Sequence, residues 1–448
     1  MTRWNLFTIP PGAPFLKVLA ARLCDGTLIE GFRHRAGDPL SLASVIIYVP
    51  TRRAARALRS EFVDLLPAPS AILPVIRPLG DYDEDAGFFD ETIAREDLAP
   101  PVGQTERLLE LANLILAWKR RLPQAVAEVH GDHPLLAPAS PADAVWLARS
   151  LAELLDSMET EDRSWSALSD ISSEDHARWW QLSLEFLKIA SAFWPQRLVE
   201  LDRSSAAAHR NVVLRAEAER LKSAPRDGPV IIAGSTGSIP ATAELMRTVA
   251  GLERGAVVLP GLDFNISNTV WPLVGGATSD GYFDPAICAH PQYGLFALLA
   301  KLEAGRDDVK SLAEPDADMA VRNRIVSTAL LPAEATQSWV ESDLTASEIA
   351  AACRRIELIE AANEREEALA IATAMRLSAE PDADIAPRNV ALVTPDRNLA
   401  RRVSAELRRF GIEADDSGGK SLSLTQPAAI CRLILAACCR PQDPIALL

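Results

Sequence analysis

Four arginines, Arg52, Arg53, Arg56 and Arg59, crowd the stretch SVIIYVPTRRAARALRSEFVDLL at residues 44–66. Val45 to Val49 is a short β-branched apolar run, Pro50-Thr51 breaks it, and Ala54 to Leu66 carries good helix formers. The pattern predicts a buried parallel strand, a turn and a helix. A helix N-terminus is already positive through its macrodipole, so arginines in its first turns work against local stability. A charge pattern of that kind serves something external, and an anion is the simple candidate. Arg52, Arg56 and Arg59 fall at i, i+4 and i+7 on one face, where they could follow successive phosphates of a strand. A solvated arginine face explains the same residues equally well.

Other stretches invite chemistry and mostly lack its parts. Leu6 to Ile9, Pro10-Pro11-Gly12-Ala13-Pro14 and Phe15 to Leu23 read as strand, loop and helix, where a nucleotide-binding protein would carry its phosphate loop. Such a loop needs free N–H donors and a Lys-Ser/Thr pair at the helix start. Here three prolines remove donors and neither lysine nor hydroxyl follows Gly12, so the loop is degenerate and ATP binding is not expected. Gly234-Ser235-Thr236-Gly237-Ser238, between a strand at Val230 to Ala233 and a helix opened by Pro240, offers hydroxyls and N–H groups to an anion. A plain tight turn fits it as well. Asp81, Asp83, Glu84 and Asp85 read as a solvated acidic loop rather than a metal site. Ala414 to Ser421 fits a loose phosphate-loop pattern ending in Lys420. Asp415 and Asp416 would face the phosphates, however, and Ser421 to Thr425 alternates like a strand where a helix is required.

The 448 residues are 48% hydrophobic and 24% charged, enough for two or three domains with ample core. A net charge of −15 excludes a protein that coats nucleic acid, so any such contact must be local or shared with a partner. The six cysteines are scattered, without CxxC pairs or histidines at zinc spacing, which points to a reducing compartment and no metal. Neither a signal peptide nor a membrane-length apolar run is present in the sequence, and a cytoplasmic location is expected.

The elements that must position these residues alternate as α/β units. Strands are expected at Ile72 to Ile76, Ala256 to Pro260, Ile356 to Glu360 and Val390 to Thr394, with an irregular loop over Asp263 to Tyr293 and a polar linker over Gly305 to Asp318. Between the first two α/β pieces, helices are expected at Thr105–Arg121, Ala142–Met158, Glu174–Leu201 and Ser204–Ser223. Their basic knot Lys119-Arg120-Arg121 and aromatics Trp118, Trp179, Trp180, Phe186, Phe193 and Trp194 could stack bases. Helical spacing favours helix–helix core instead.

TRRAARAL (51–58) resembles the superfamily 1 helicase motif that follows the second strand of the first RecA-like domain and touches single-stranded DNA. NVALVTPDRNLARRVSAELRRFGIEADDSGG (389–419) resembles the opening of the second RecA-like domain in those enzymes. The wording IPPGAPFL, PLGDYDED, AGSTGSIPAT and HPQYGL is similar to the AddB subunits of the AddAB helicase–nucleases, in the branch with a degenerate phosphate loop. The resemblance implies a first RecA-like domain in two parts (1–103 and 227–304) split by a helical insertion (104–226). A linker with helices (305–353) and the start of a second RecA-like domain (354–448) would follow. It also implies an ATP-inert scanner of DNA ends and single strands, paired with an AddA-type motor in double-strand break repair. Thr51, Arg52 and Arg53 carry the DNA-contact expectation, joined on charge by Arg56 and more distantly by Ser235, Thr236 and Ser238. AddB chains run further, and the nuclease's metal-site residues and iron–sulfur cysteines are not found here, so the cluster and Mg belong to that further part. The alternatives are a stand-alone nucleotide hydrolase using Lys420, or a scaffold that binds no DNA.

Overall fold

The computed structural model describes residues 4–35, 37–66, 72–79, 99–121, 140–166, 177–224, 227–276, 283–340, 343–354, 356–380, 389–419 and 421–440, with backbone alone for 121 and 177–182. The chain divides into two compact units, Met1–Arg354 and Arg355–Leu448.

The first unit is built on six strands: β1 (Leu6–Ile9), β2 (Ile46–Val49), β3 (Val75–Pro78), β4 (Val230–Ala233), β5 (Gly255–Pro260) and β6 (Val309–Ser311). They form one all-parallel sheet in the order β3-β2-β4-β5-β1-β6. Every residue of β1, β2 and β4 is buried, as expected of apolar runs covered on both faces. Helices α1 (Phe15–Asp25) and α2 (Arg52–Leu65) cover one face, where Leu19, Leu23, Leu58 and Phe62 pack on Ile9, Ile47, Val49 and Val258.

A helical insertion follows: α3 (Gln104–Arg121), α4 (Pro141–Thr160), α5 (Ala177–Lys188) and α6 (Trp194–Leu201). It encloses its own core of Leu111, Ile115, Ala148, Leu151, Leu155, Ile189 and Trp194. The single helix expected over Glu174 to Leu201 is continuous over its described residues, 177–201, and holds a π-bulge at Ile189–Phe193 just ahead of Pro195, whose missing N–H interrupts the regular ladder.

Helices α7 (Ala206–Ser223), α8 (Pro240–Ala250) and α9 (Tyr293–Leu302) cover the second face of the sheet. There Leu214, Leu221, Leu245, Met246 and Leu298 meet Leu6, Ile46, Tyr48 and Val257. The split follows from chain direction. β1→β2→β3 steps toward one edge and β4→β5→β6 toward the other, and right-handed crossovers place those helices on opposite faces. Helices α10 (Ala317–Ala329) and α11 (Ala346–Cys353) close the unit.

Two strand expectations are corrected here. The strand placed at Ile72 to Ile76 runs from Val75 to Pro78, and Pro78 is tolerated because β3 is the sheet edge. The linker placed over Gly305 to Asp318 contains β6, a three-residue edge strand whose only buried member is Val309.

The second unit holds α12 (Glu364–Ala379), α13 (Arg397–Arg409) and α14 (Gln426–Cys439). The stretches expected as strands at Ile356 to Glu360 and Val390 to Thr394 are irregular and pair with no strand among the described residues, and Leu358 and Val393 are exposed. Its fully buried apolar side chains are Ala368, Ala372, Val403 and Leu407.

One polar network crosses the core of the first unit. The Tyr48 hydroxyl in β2 donates to Glu217 Oε1 of α7 at 2.5 Å, and Arg220 forks the same carboxylate at 2.7 Å from both Nε and Nη2. Arg77 of β3 also bonds Tyr48. Burial, then the adjacent Glu217 charge, pushes the Tyr48 phenol well above its ordinary range. Glu217→Ala leaves buried Tyr48 and the Arg220 guanidinium without their shared acceptor. It is expected to destabilise the first unit by about 3–5 kcal/mol in urea titrations, whereas Tyr48→Phe, which leaves the Arg220 fork intact, is expected to cost about 1 kcal/mol.

Candidate nucleic-acid interface

β2 and β4 are neighbours, with Ile46 beside Val230 and Tyr48 beside Ile232. Beyond their carboxyl ends the chain leaves β2 for α2 on one face and β4 for α8 on the other. Diverging connections of this kind open a crevice at the strand ends, where α/β sheets place their ligands. Its two walls touch, since a Cβ on Gly234 would lie 3.5 Å from Pro50 Cδ and 3.6 Å from Phe15 Cε1.

The Thr51 wall is a helix start. Thr51 is extended at φ −136° and ψ 159°, and its Oγ1 accepts from Ala54 N–H at 3.1 Å, capping α2. Accepting with the oxygen leaves its own O–H able to donate outward. Arg52 and Arg53 fill the first two helical positions, and with Thr51 and Arg56 they are exposed. Arg59 behaves differently. Its Nη2 donates to Ile76 O of β3 at 3.2 Å, so Arg59 is held against the sheet edge and is not equivalent to its neighbours in the expected ladder.

The opposite wall is the loop Ser235–Ser238. Ser235 Oγ accepts from Gly237 N–H at 3.2 Å, and Thr236 packs against Gly294 of α9. Ser235 and Thr236 are half-buried, while Ser238 is exposed. α8 begins at Ile239-Pro240 with no side-chain cap; Pro240 carries no N–H, Ala243 N–H donates to Ile239 O at 2.9 Å, and Ala241 and Thr242 are buried. The N-terminal ends of α2 and α8 thus follow strand ends that lie side by side, the kind of place where an anion is favoured.

The degenerate loop at Pro10, Pro11 and Gly12 is roofed over. A Cβ on Gly12 would lie 2.2 Å from Met319 Cγ of α10, and Asn323 Nδ2 donates to Pro11 O at 3.1 Å. α10 was open to detection, because Asp316 caps Met319 N–H at 2.8 Å, a helix-start signal inside the segment read as linker. Beside the loop lies a cavity of about 620 Å³ lined by Pro10, Pro11, Phe264, Val326 and Leu330 among others. Its arginines are turned elsewhere, Arg322 to Ala352 O and Arg324 to Asp343 and Glu348.

Asp81, Asp83, Glu84, Asp85 and Lys420 lie outside the described residues, as do the side chains of Arg121, Trp179 and Trp180. Around Lys420, Asp416 is held by Arg397 at 2.9 and 2.7 Å, and Arg397 also donates to Gly419 O. The strand expected over Ser421 to Thr425 is a 3₁₀ turn at Leu422–Leu424, closed by Thr425 as the cap of α14. In the insertion, Trp118 meets Phe186 edge to face at 5.2 Å and Trp194 is 1% exposed, so these rings are core. No metal-holding group occurs among the described residues, nor any helix long and apolar enough to cross a membrane.

Gly237 fixes the shape of the Ser235–Ser238 loop. It sits at φ +61°, and a Cβ there would approach Leu298 Cδ1 to 2.6 Å. Gly237→Ala is expected to lower stability by about 1–2 kcal/mol through the left-handed backbone alone, read as a fall in unfolding temperature. Comparison with protein-family models and with curated proteins finds no match to this chain.

Proposed function

We propose that this chain is the ATP-inert, helicase-like, DNA-binding portion of an AddB-type subunit, working with an AddA-type motor subunit at DNA ends in double-strand break repair. The observation that carries the reading is that Gly234, just ahead of Ser235–Ser238, lies beside Pro50, just ahead of Thr51–Arg53, at the carboxyl ends of adjacent parallel strands. Hydroxyls, amides and guanidiniums at such a place contact phosphate oxygens, which hold a strand without reading its bases. In this reading the parallel sheet is the first RecA-like domain of a superfamily 1 helicase-like fold, and the unit from Arg355 opens the second. The proline-rich loop beside Met319 supports the absence of ATP chemistry, because three of its five residues carry no N–H and no Lys-Ser/Thr pair follows Gly12. Any iron–sulfur cluster or Mg belongs to the nuclease part of such a subunit. The net charge of −15 repels a polyanion at a distance, so the contact is confined to the crevice and favoured by low salt and by the motor partner.

The test is fluorescence anisotropy of a labelled single-stranded oligonucleotide across a salt series. Changing Arg52, Arg53 and Arg56 together to Ala is expected to weaken binding and flatten the salt slope by up to about 0.7 per lost phosphate contact. An isotherm unmoved by the triple substitution would take the phosphate contact away from these arginines, and no binding by the parent chain at low salt with the motor partner present would leave a scaffold without DNA contact. Trinitrophenyl-ATP is expected to show no saturable binding, and micromolar binding abolished by Lys420→Ala would replace this reading with a nucleotide hydrolase.

A further inference from the structure

The helical insertion is joined to the sheet by two passages of chain that run side by side. Pro101 and Ser204 form a parallel bridge, Val102 N–H donates to Ser204 O at 2.9 Å, and Ser204 N–H donates to Pro100 O at 2.9 Å. The second passage begins at Asp202, a non-glycine residue at φ +53° that holds local backbone strain. The insertion has a core separate from those of the sheet. Its seam with α7 is polar. Ser205 Oγ donates to Glu159, Asn211 Nδ2 to Glu159 O at 2.8 Å, Arg210 to Thr160 Oγ1 at 2.9 Å, and Arg215 pairs with Asp162 at 2.5 Å. A body with its own core, adjacent entry and exit and a polar seam has the construction of a hinged subdomain.

We propose that Ala99–Gly103 and Asp202–Ser205 form a hinge on which the helical subdomain α3–α6 swings from the sheet, with His209 as the latch that acid opens. His209, the fourth residue of α7, is 6% exposed. Its Nδ1 lies 3.3 Å from Ala99 O on the first passage and 3.2 Å from Ser204 Oγ on the second, while Ser204 Oγ donates to Ala99 O at 2.7 Å. One ring therefore ties both passages to α7.

The charged groups packed into this knot are Arg107 from α3, Asp156 and Glu159 from α4, and Arg210 of α7, with exposed Asp202 and Arg203 on the second passage. Among the described residues of the first passage, Ala99–Gly103, none is charged. Arg107 pairs with Asp156 at 2.8 Å. Burial holds the His209 ring below its ordinary value, with the Ala99 carbonyl acting in the opposite sense. The latch therefore holds fully above the free imidazole value and weakens as pH falls through the lower buried value. Glu159 runs the other way. Burial raises its carboxyl, so taking up a proton removes a buried charge and favours the closed seam in acid.

The test is hydrogen exchange of the full chain read by mass spectrometry at about pH 7.5 and about pH 5.5, on either side of the free imidazole value and scaled for chemical rate. In acid, peptides spanning 99–107 and 202–212 are expected to lose about tenfold protection while β1, β4 and β5 keep theirs. His209→Asn, which retains an N–H donor and does not titrate, is expected to stay protected at both pH values. Ser204→Ala, which removes the other hold on the Ala99 carbonyl, should move the opening to higher pH, and Glu159→Gln should leave acid opening in place. Three outcomes overturn the proposal: strands and hinge losing protection together, His209→Asn opening in acid as the parent does, or Ser204→Ala leaving the midpoint unmoved. The Ser204→Ala series decides the matter if His209→Asn does not fold.

Discussion

A parallel strand with no polar face must be covered on both sides, and that requirement organises the first unit. β1, β2, β4 and β5 have almost no surface to offer water, so each needs helix above and helix below. Right-handed crossovers decide which helix goes where, and the reversal of chain direction between β3 and β4 populates both faces. The same reversal leaves α2 and α8 diverging from adjacent strand ends. The crevice bearing Thr51, Arg52 and Ser235 is thus a by-product of covering the sheet.

The carboxyl edge of the sheet is treated differently at its two openings. At β2 and β4 the loops face outward, with helix starts and guanidiniums at the surface. Over the loop after β1, α10 is laid down, Met319 fills the space above Gly12, and the arginines of the neighbouring cavity are committed to carbonyls and carboxylates. The loops after β2 and β4 carry exposed side chains, whereas the loop after β1 has Met319 and Asn323 of α10 laid against it.

How much of this the sequence disclosed depends on range. Buried strands were legible wherever four or more β-branched or aliphatic residues ran together, as at Ile46–Val49 and Val230–Ala233, because burial on both faces leaves no alternation to hide. β6 was illegible, since Val-Lys-Ser is short and one-sided and its pairing with β1 is remote. Val390 to Thr394 carries an apolar run like that of the buried strands yet is only half-buried, and Ile356 to Glu360 is exposed, because strand formation needs a neighbour that local composition does not specify. Within the crevice, the Thr51 cap and the glycine-rich turn could be read because both are local. Their contact through Pro50 and Gly234 could not, nor could the diversion of Arg59 to the Ile76 carbonyl. Tyr48 reads as an apolar strand residue, and its bond to Glu217 joins positions 169 apart.

The placement of β1 bears on how the polypeptide acquires its shape during synthesis. The first strand made lies between β5 and β6, and its Thr8 hydroxyl bonds Leu259 O across 251 residues of chain. At ordinary translation speeds that interval lasts roughly 10–50 s, during which an apolar segment near the N-terminus has no neighbour to pair with. The insertion, closed by local helix contacts, can condense in that time, whereas the sheet must wait for the ribosome to release its later strands. A nascent chain of this topology needs holding factors that shield its leading end, and its yield should be set by their supply more than by the stability of the finished molecule.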